Sequence, residues 1–150
     1  MMIIVIAFFA VRPNIAGLLR GSQERSALRQ LVGVFKVART EALASGRLVR
    51  VMYSLEEGVF FAEVQSSPET DVSAFDLLPI LGRESVKLPQ HWEMTKLQIR
   101  GRLAPTVAEP IYFYPDGRTD GVAMLFSDLD GSDTVLRLSS ATGKPEFFDA

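Results

Sequence analysis

A chain of 150 residues is long enough for one domain with a sizeable core, and 47% hydrophobic against 23% charged residues places it among folded rather than disordered proteins. Its 16 basic and 18 acidic residues leave a formal net charge of -2, without the basic surplus of a dedicated nucleic-acid binder. The absence of cysteine excludes disulfides, thiolate metal sites and cysteine nucleophiles, and the single histidine, His91, leaves little room for a histidine-rich metal site or a catalytic triad.

The chain opens on an apolar run, Met1 to Val11 (MMIIVIAFFAV), with no charged or polar side chain, followed by Arg12 and Pro13. As a helix the run would extend roughly 16 Å at about 1.5 Å per residue, half of a hydrocarbon core of about 30 Å. Three readings fit it. It is the h-region of a secretory signal, although no basic stretch precedes it and no small-x-small site follows; or a buried core segment; or part of a longer membrane helix that begins before Met1.

From Ser22 to Ser45 the spacing predicts an amphipathic helix. Leu28, Leu31, Val32, Phe35, Ala38, Ala42 and Leu43 follow the i, i+3, i+4, i+7 pattern of one buried stripe, and Arg25, Arg29, Lys36 and Arg39 fall outside it. Gly46 stands where a left-handed cap would end the helix. Ser22 suits a fresh helix start, and a continuous helix kinked near Pro13 is the alternative.

After Gly46 the period shortens to two. Leu48 to Tyr53 and Val59 to Val64 predict a hairpin across Ser54-Leu55-Glu56-Glu57-Gly58, and Ser66 to Thr70 reads as loop. Further strands are expected at Ser85 to Leu88, Lys96 to Arg100, Pro110 to Tyr114, Gly121 to Phe126 and Thr134 to Leu138, with turns at Pro115-Asp116-Gly117 and Asp130-Gly131. The chain closes with Gly143, Lys144 and the aromatic pair Phe147-Phe148. Neither helix nor sheet covers its apolar face alone, so the helix is expected to lie on the sheet.

This order resembles type IV pilins and pseudopilins, and three stretches are similar to the H-type minor pseudopilins and their FimT-like pilus relatives (the GspH/FimT-like group). They are Phe35 to Tyr53 (FKVARTEALASGRLVRVMY), Ile111 to Gly121 (IYFYPDGRTDG) and Val135 to Lys144 (VLRLSSATGK). The apolar run ending in Pro13-Asn14 looks like the middle of a pilin anchor. The family's basic leader, cleavage-site glycine, phenylalanine and glutamate do not occur in this sequence. They are expected upstream of Met1, the alternative being a protein that has lost processing, and on either account the family's cleavage and methylation map onto no residue here.

The resemblance implies an α+β, pilin-like fold: a long N-terminal helix packed on an antiparallel β-sheet region. Residues 1–21 would form the apolar anchor, and residues 22–150 a periplasmic head. It further implies a non-enzymatic minor subunit of the type II secretion pseudopilus, single-pass in the bacterial inner membrane. Its partners would be the other minor tip subunits, the major pseudopilin and the secreted substrate, with no cofactor and no nucleic acid. Ile3, Ile4, Val5, Ile6, Phe8 and Phe9 would serve membrane anchoring and filament packing. Four arginines follow the apolar run (Arg12, Arg20, Arg25, Arg29) and none precedes it, so the periplasmic orientation rests on the resemblance alone. The alternative function is a FimT-like minor type IV pilin that binds DNA; a third is an unrelated domain.

Other residues invite sharper chemistry. Asp128, Asp130 and Asp133 in SDLDGSD read first as an acidic hairpin turn and second as a hard-cation site, because the spacing does not match a calcium-binding EF loop. Asp116, Gly117, Asp120 and Gly121 read as turn residues, and Glu56 with Glu57 as a solvated turn. His91, beside Trp92, has no nucleophile motif to serve as base for. Arg47, Arg50, Arg100 and Arg102 could line a positive strip, against ordinary polar-face alternation on strands.

Overall fold

The computed structural model describes the backbone of residues 15–149 except 68, 90 and 130, and the side chains of residues 25–148 with the same exceptions. Among the described residues a helix, α1 (Ile15–Ser45), is followed by ten strands. It runs without a break through Ser22, so the helix is continuous there rather than newly capped. It stops where the sequence places the stop: Gly46 adopts φ +66° and its N–H closes the last turn on the Ala42 carbonyl at 3.0 Å.

The strands form two five-stranded antiparallel sheets. The first has the order β3 (Asp71–Leu78), β2 (Val59–Ser67), β1 (Val49–Ser54), β7 (Ile111–Phe113), with β4 (Val86–Lys87) also paired to β2. The second has the order β10 (Pro145–Asp149), β9 (Asp133–Leu138), β8 (Val122–Ser127), β5 (Glu93–Ile99), β6 (Arg102–Leu103). The β1–β2 hairpin closes at Gly58, whose φ of +64° and N–H to the Ser54 carbonyl at 2.8 Å make it the residue that needs no Cβ.

Three strands arise where none was expected, β3, β6 and β10, and β2 runs on into the stretch read as loop. All three are sheet edges. An edge strand with few buried side chains carries little apolar alternation, and the residues of β3 are all exposed or half-buried. Pro145 opens β10, where a missing N–H costs no ladder bond.

α1 packs on β1, β2, β4 and β7. It buries Leu31, Val34, Phe35, Ala38 and Ala42 against Val49, Val51, Phe60, Ala62, Ile111 and Phe113. The expected stripe was rotated slightly: Val34, not Val32, is fully buried, and Leu43 stays 45% exposed. The buried face centres between Leu31 and Ala38, which brings Val34 in and leaves Leu43 at the rim. Phe60 joins the layers, lying 6.1 Å from Phe35 on the helix and 6.3 Å from Phe126 on the second sheet, ring centre to ring centre. Burying each such phenylalanine contributes about 2–3 kcal/mol. That single continuous core supports the α+β fold class expected from the sequence, helix on antiparallel sheet.

Candidate functional site

Arg39 sits on the flank of α1 rather than on its buried stripe, half-buried, with Nε donating to the Gly117 carbonyl at 3.2 Å. Gly117 belongs to the turn after β7, where its N–H reaches the Tyr114 carbonyl at 2.9 Å and the Arg118 N–H reaches Asp116 Oδ1 at 3.1 Å. Its φ of +88° favours glycine, and a Cβ there would come within 3.2 Å of Arg39 Nη2 and 3.3 Å of Leu43 Cδ2. Gly143 closes the same site from the loop between β9 and β10. A Cβ at Gly143 would meet Arg39 Cδ at 3.2 Å and Phe113 Cε2 at 3.5 Å.

Arg39, Gly117 and Gly143 come one each from the three stretches on which the sequence resemblance stands, and the fold gathers them at one junction. The junction is mechanical in character: it fixes the helix to a loop of each sheet. The Thr119 N–H to the Ser140 carbonyl at 3.0 Å joins the same two loops directly.

A second cluster lies beside it. Asp120 is nearly buried, with 8% of its side chain exposed, and accepts from Tyr114 Oη at 2.7 Å and from Arg100 Nη2 at 2.8 Å. Burial, then the Asp120 carboxylate, holds the Tyr114 phenol above its ordinary range, and Asp120 likewise raises Arg100. Arg100 leaves the end of β5, so this cluster ties the second sheet to the turn after the first.

The four arginines considered as a positive strip are largely committed. Arg100 is paired with Asp120, and Arg50 with Glu63 at 2.8 Å while its guanidinium lies 3.9 Å above the Phe75 ring. Arg47 Nη1 donates to the Ser66 carbonyl at 3.2 Å, and Arg102 is exposed. Two of the four cations are therefore neutralised by carboxylates, which favours strand-face alternation over a nucleic-acid strip.

The acidic stretch is a turn with its carboxylates engaged: Ser132 N–H donates to Asp128 Oδ1 at 3.0 Å and Ser127 Oγ to Asp133 Oδ1 at 2.6 Å. Asp130 lies outside the described residues, and among those described no three metal-binding side chains gather. His91, exposed and at φ +71°, borders a depression of about 350 Å³ with Trp92, Glu93, Ser127, Asp128 and Leu129. Ile3, Ile4, Val5, Ile6, Phe8 and Phe9 lie outside the described residues. Within the described residues no helix is long and apolar enough to cross a membrane.

No protein-family model and no curated protein sequence matches the chain. Its fold does match solved structures over almost their whole length. The minor pseudopilin EpsH from the type 2 secretion system of Vibrio cholerae aligns with TM-score 0.62 at 9% identity, over 87% of this chain and 95% of that one. GspH of E. coli aligns with TM-score 0.60 at 15% identity, over 93% and 94%. The chain has the minor-pseudopilin fold.

The type IV minor pilin FimU of Pseudomonas aeruginosa shares that fold less closely, with TM-score 0.53 at 16% identity over 86% and 90%. Within the minor-pseudopilin fold, the Arg39 junction escaped the sequence reading. By sequence Arg39 falls off the buried stripe, Gly117 is a turn residue and Gly143 stands near the chain end, and none of these places points to a shared junction. The available signal was that the three fell in the three stretches carrying the resemblance.

Proposed function

We propose that the chain is a minor pseudopilin, a structural and assembly subunit of a type II secretion pseudopilus without catalytic activity. The observation that carries this is the near full-length fold match to EpsH and GspH, stronger than that to the pilus subunit FimU. In this reading residues 1–21, with Ile3, Ile4, Val5, Ile6, Phe8 and Phe9, contribute to an inner-membrane anchor. Residues 22–150 form the periplasmic head. On assembly the apolar segment leaves lipid for a bundle of like helices. Apolar surface then exchanges one apolar surrounding for another, and packing with a few polar contacts decides the balance. The Arg39 junction suits a subunit that must transmit force from helix to head without shearing.

The reading predicts that deletion of the gene in its own host blocks export of secreted proteins and leaves pilus-dependent motility and DNA uptake intact. Loss of pilus function with export preserved would overturn it. Crosslinks from the head to sister pilin-like subunits, obtained in the intact membrane, identify the neighbours.

A further inference from the structure

β3 closes one side of the first sheet, and at eight residues it is longer than the edge strands β6, β7 and β10. Natural sheets blunt such an edge with lysine, proline or a covering loop. β3 contains no lysine, arginine or proline, and all its side chains are exposed or half-buried. Val72 is 71% and Leu77 43% exposed.

The register fixes which backbone groups of this edge are open. The Gln65 N–H donates to the Leu48 carbonyl at 2.9 Å, so the backbone groups of Gln65 point to the β1 side of β2. Backbone groups alternate in direction along a strand, so those of Glu63 point the same way, and those of Ala62 and Val64 point to β3. Phe75 and Leu77, opposite Gln65 and Glu63, therefore form the pairs that exchange no hydrogen bond with β2. Their N–H and C=O groups face outward from the sheet.

The side chains along this edge are sorted by face. Leu77 stands opposite Glu63, and Glu63 opposite Arg50, whose guanidinium lies 3.9 Å above the Phe75 ring. Phe75 and Leu77 thus share the face turned away from α1. Asp76 lies between them on the other face, exposed. Residues 66–82 contain Glu69, Asp71 and Asp76 and no basic residue, so the edge is acidic. Arg50, the cation nearest Phe75, is held by Glu63 at 2.8 Å. A second copy of β3 would add carboxylates to the same edge and is a poor guest.

We propose that the open edge of β3 binds an extended segment of a partner polypeptide as an added antiparallel strand, with apolar, basic and apolar residues facing Leu77, Asp76 and Phe75. The outward N–H and C=O groups of Phe75 and Leu77 supply the main-chain hydrogen bonds. The guest's apolar side chains pack beside Phe75 and Leu77, and its lysine or arginine stands directly across from Asp76, in the closer kind of cross-strand pair. The site goes beyond the filament reading and uses no surface on which that reading depends.

The test is fluorescence anisotropy of a labelled synthetic peptide of alternating valine and lysine with the full chain in nonionic detergent at low ionic strength, joined to residue-resolved hydrogen exchange. Binding is expected, with slowed exchange at the Phe75 and Leu77 amides, and N-methylation of the peptide's bonding amides should abolish it. Asp76→Lys should weaken binding about tenfold and favour an alternating valine–glutamate peptide instead. Leu77→Pro removes an outward N–H and leaves the β2 ladder whole, so it should weaken binding about tenfold while the fold persists by circular dichroism. No binding, binding that survives N-methylation, an unchanged affinity in Asp76→Lys, or protection centred on β6 or β10 overturns the proposal. Protection of Phe75 and Leu77 that grows with protein concentration in the absence of peptide gives the edge to a second copy and overturns it too. Each of these failures leaves the secretion role standing.

Discussion

Arg39 Nε and the Gly117 carbonyl meet at 3.2 Å across 78 residues of sequence, and Gly143 packs against the same side chain. A helix, a turn following the first sheet and a loop of the second sheet are thereby held by one guanidinium and two glycines.

Gly143→Ala tests the closeness of that packing. The substitution forces an L-residue to φ +66° and sets its Cβ 3.2 Å from Arg39 Cδ, whereas Gly58→Ala meets the same backbone strain at φ +64° with nothing within 4 Å. The left-handed conformation alone costs about 1–2 kcal/mol. Gly58→Ala is expected to lose about that much and Gly143→Ala roughly 1 kcal/mol more by urea denaturation. Equal losses would show that Arg39 yields freely.

Arg39→Met keeps the alkyl stem and removes the donor to Gly117. The expected loss is about 1–2 kcal/mol, since a half-buried carbonyl regains water only in part. Arg39→Lys should recover part of that loss, and thermal unfolding with near-UV circular dichroism reads both.

Phe35→Ala removes the ring that lies 6.1 Å from Phe60 and 6.3 Å from Phe113. A cavity at a fully buried site is expected to cost about 3–5 kcal/mol, enough to unfold much of the head at ordinary temperature. Leu43→Ala, at a site 45% exposed, should change the same urea midpoint far less.

Alkaline pH tests two phenols, the buried Tyr53 and the half-buried Tyr114. Tyr53 and Tyr114 are both held above the ordinary value of 10.0, chiefly by burial. Glu93 adds to the shift at Tyr53 against a Met94 backbone hydrogen bond, and Asp120 adds at Tyr114 against Arg100. The folded state therefore binds these protons more tightly than the unfolded one. Their contribution to stability is complete below about pH 10 and is lost as pH rises through the folded values. The urea midpoint should fall above about pH 10, and less steeply in Tyr114→Phe.

Nucleic-acid binding by the head should be weak. Of the four strip arginines, Arg50 and Arg100 are held by carboxylates and Arg47 and Arg102 are left to meet phosphates, so this strip should contribute no more than about -2 to the slope of the logarithm of affinity against the logarithm of salt. A steeper slope, lost on substitution of these arginines, would revive a DNA-binding pilin.

The sequence by itself determined the helix with its glycine stop, the β1–β2 hairpin, the approximate places of β5, β7, β8 and β9, and the α+β class. Each is written in a local period or a turn residue whose effect spans a few positions. Only the tertiary structure decided that β3, β6 and β10 are strands, because an edge strand is recruited by its neighbour's unpaired backbone rather than by apolar alternation of its own. It alone decided that Val34 replaces Val32 in the core, since the buried arc of a helix depends on which sheet residues face it. The meeting of Arg39 with Gly117 and Gly143 joins positions far apart in the chain. No local period records such a contact, because closeness there is set by how helix and loops stack on the shared core.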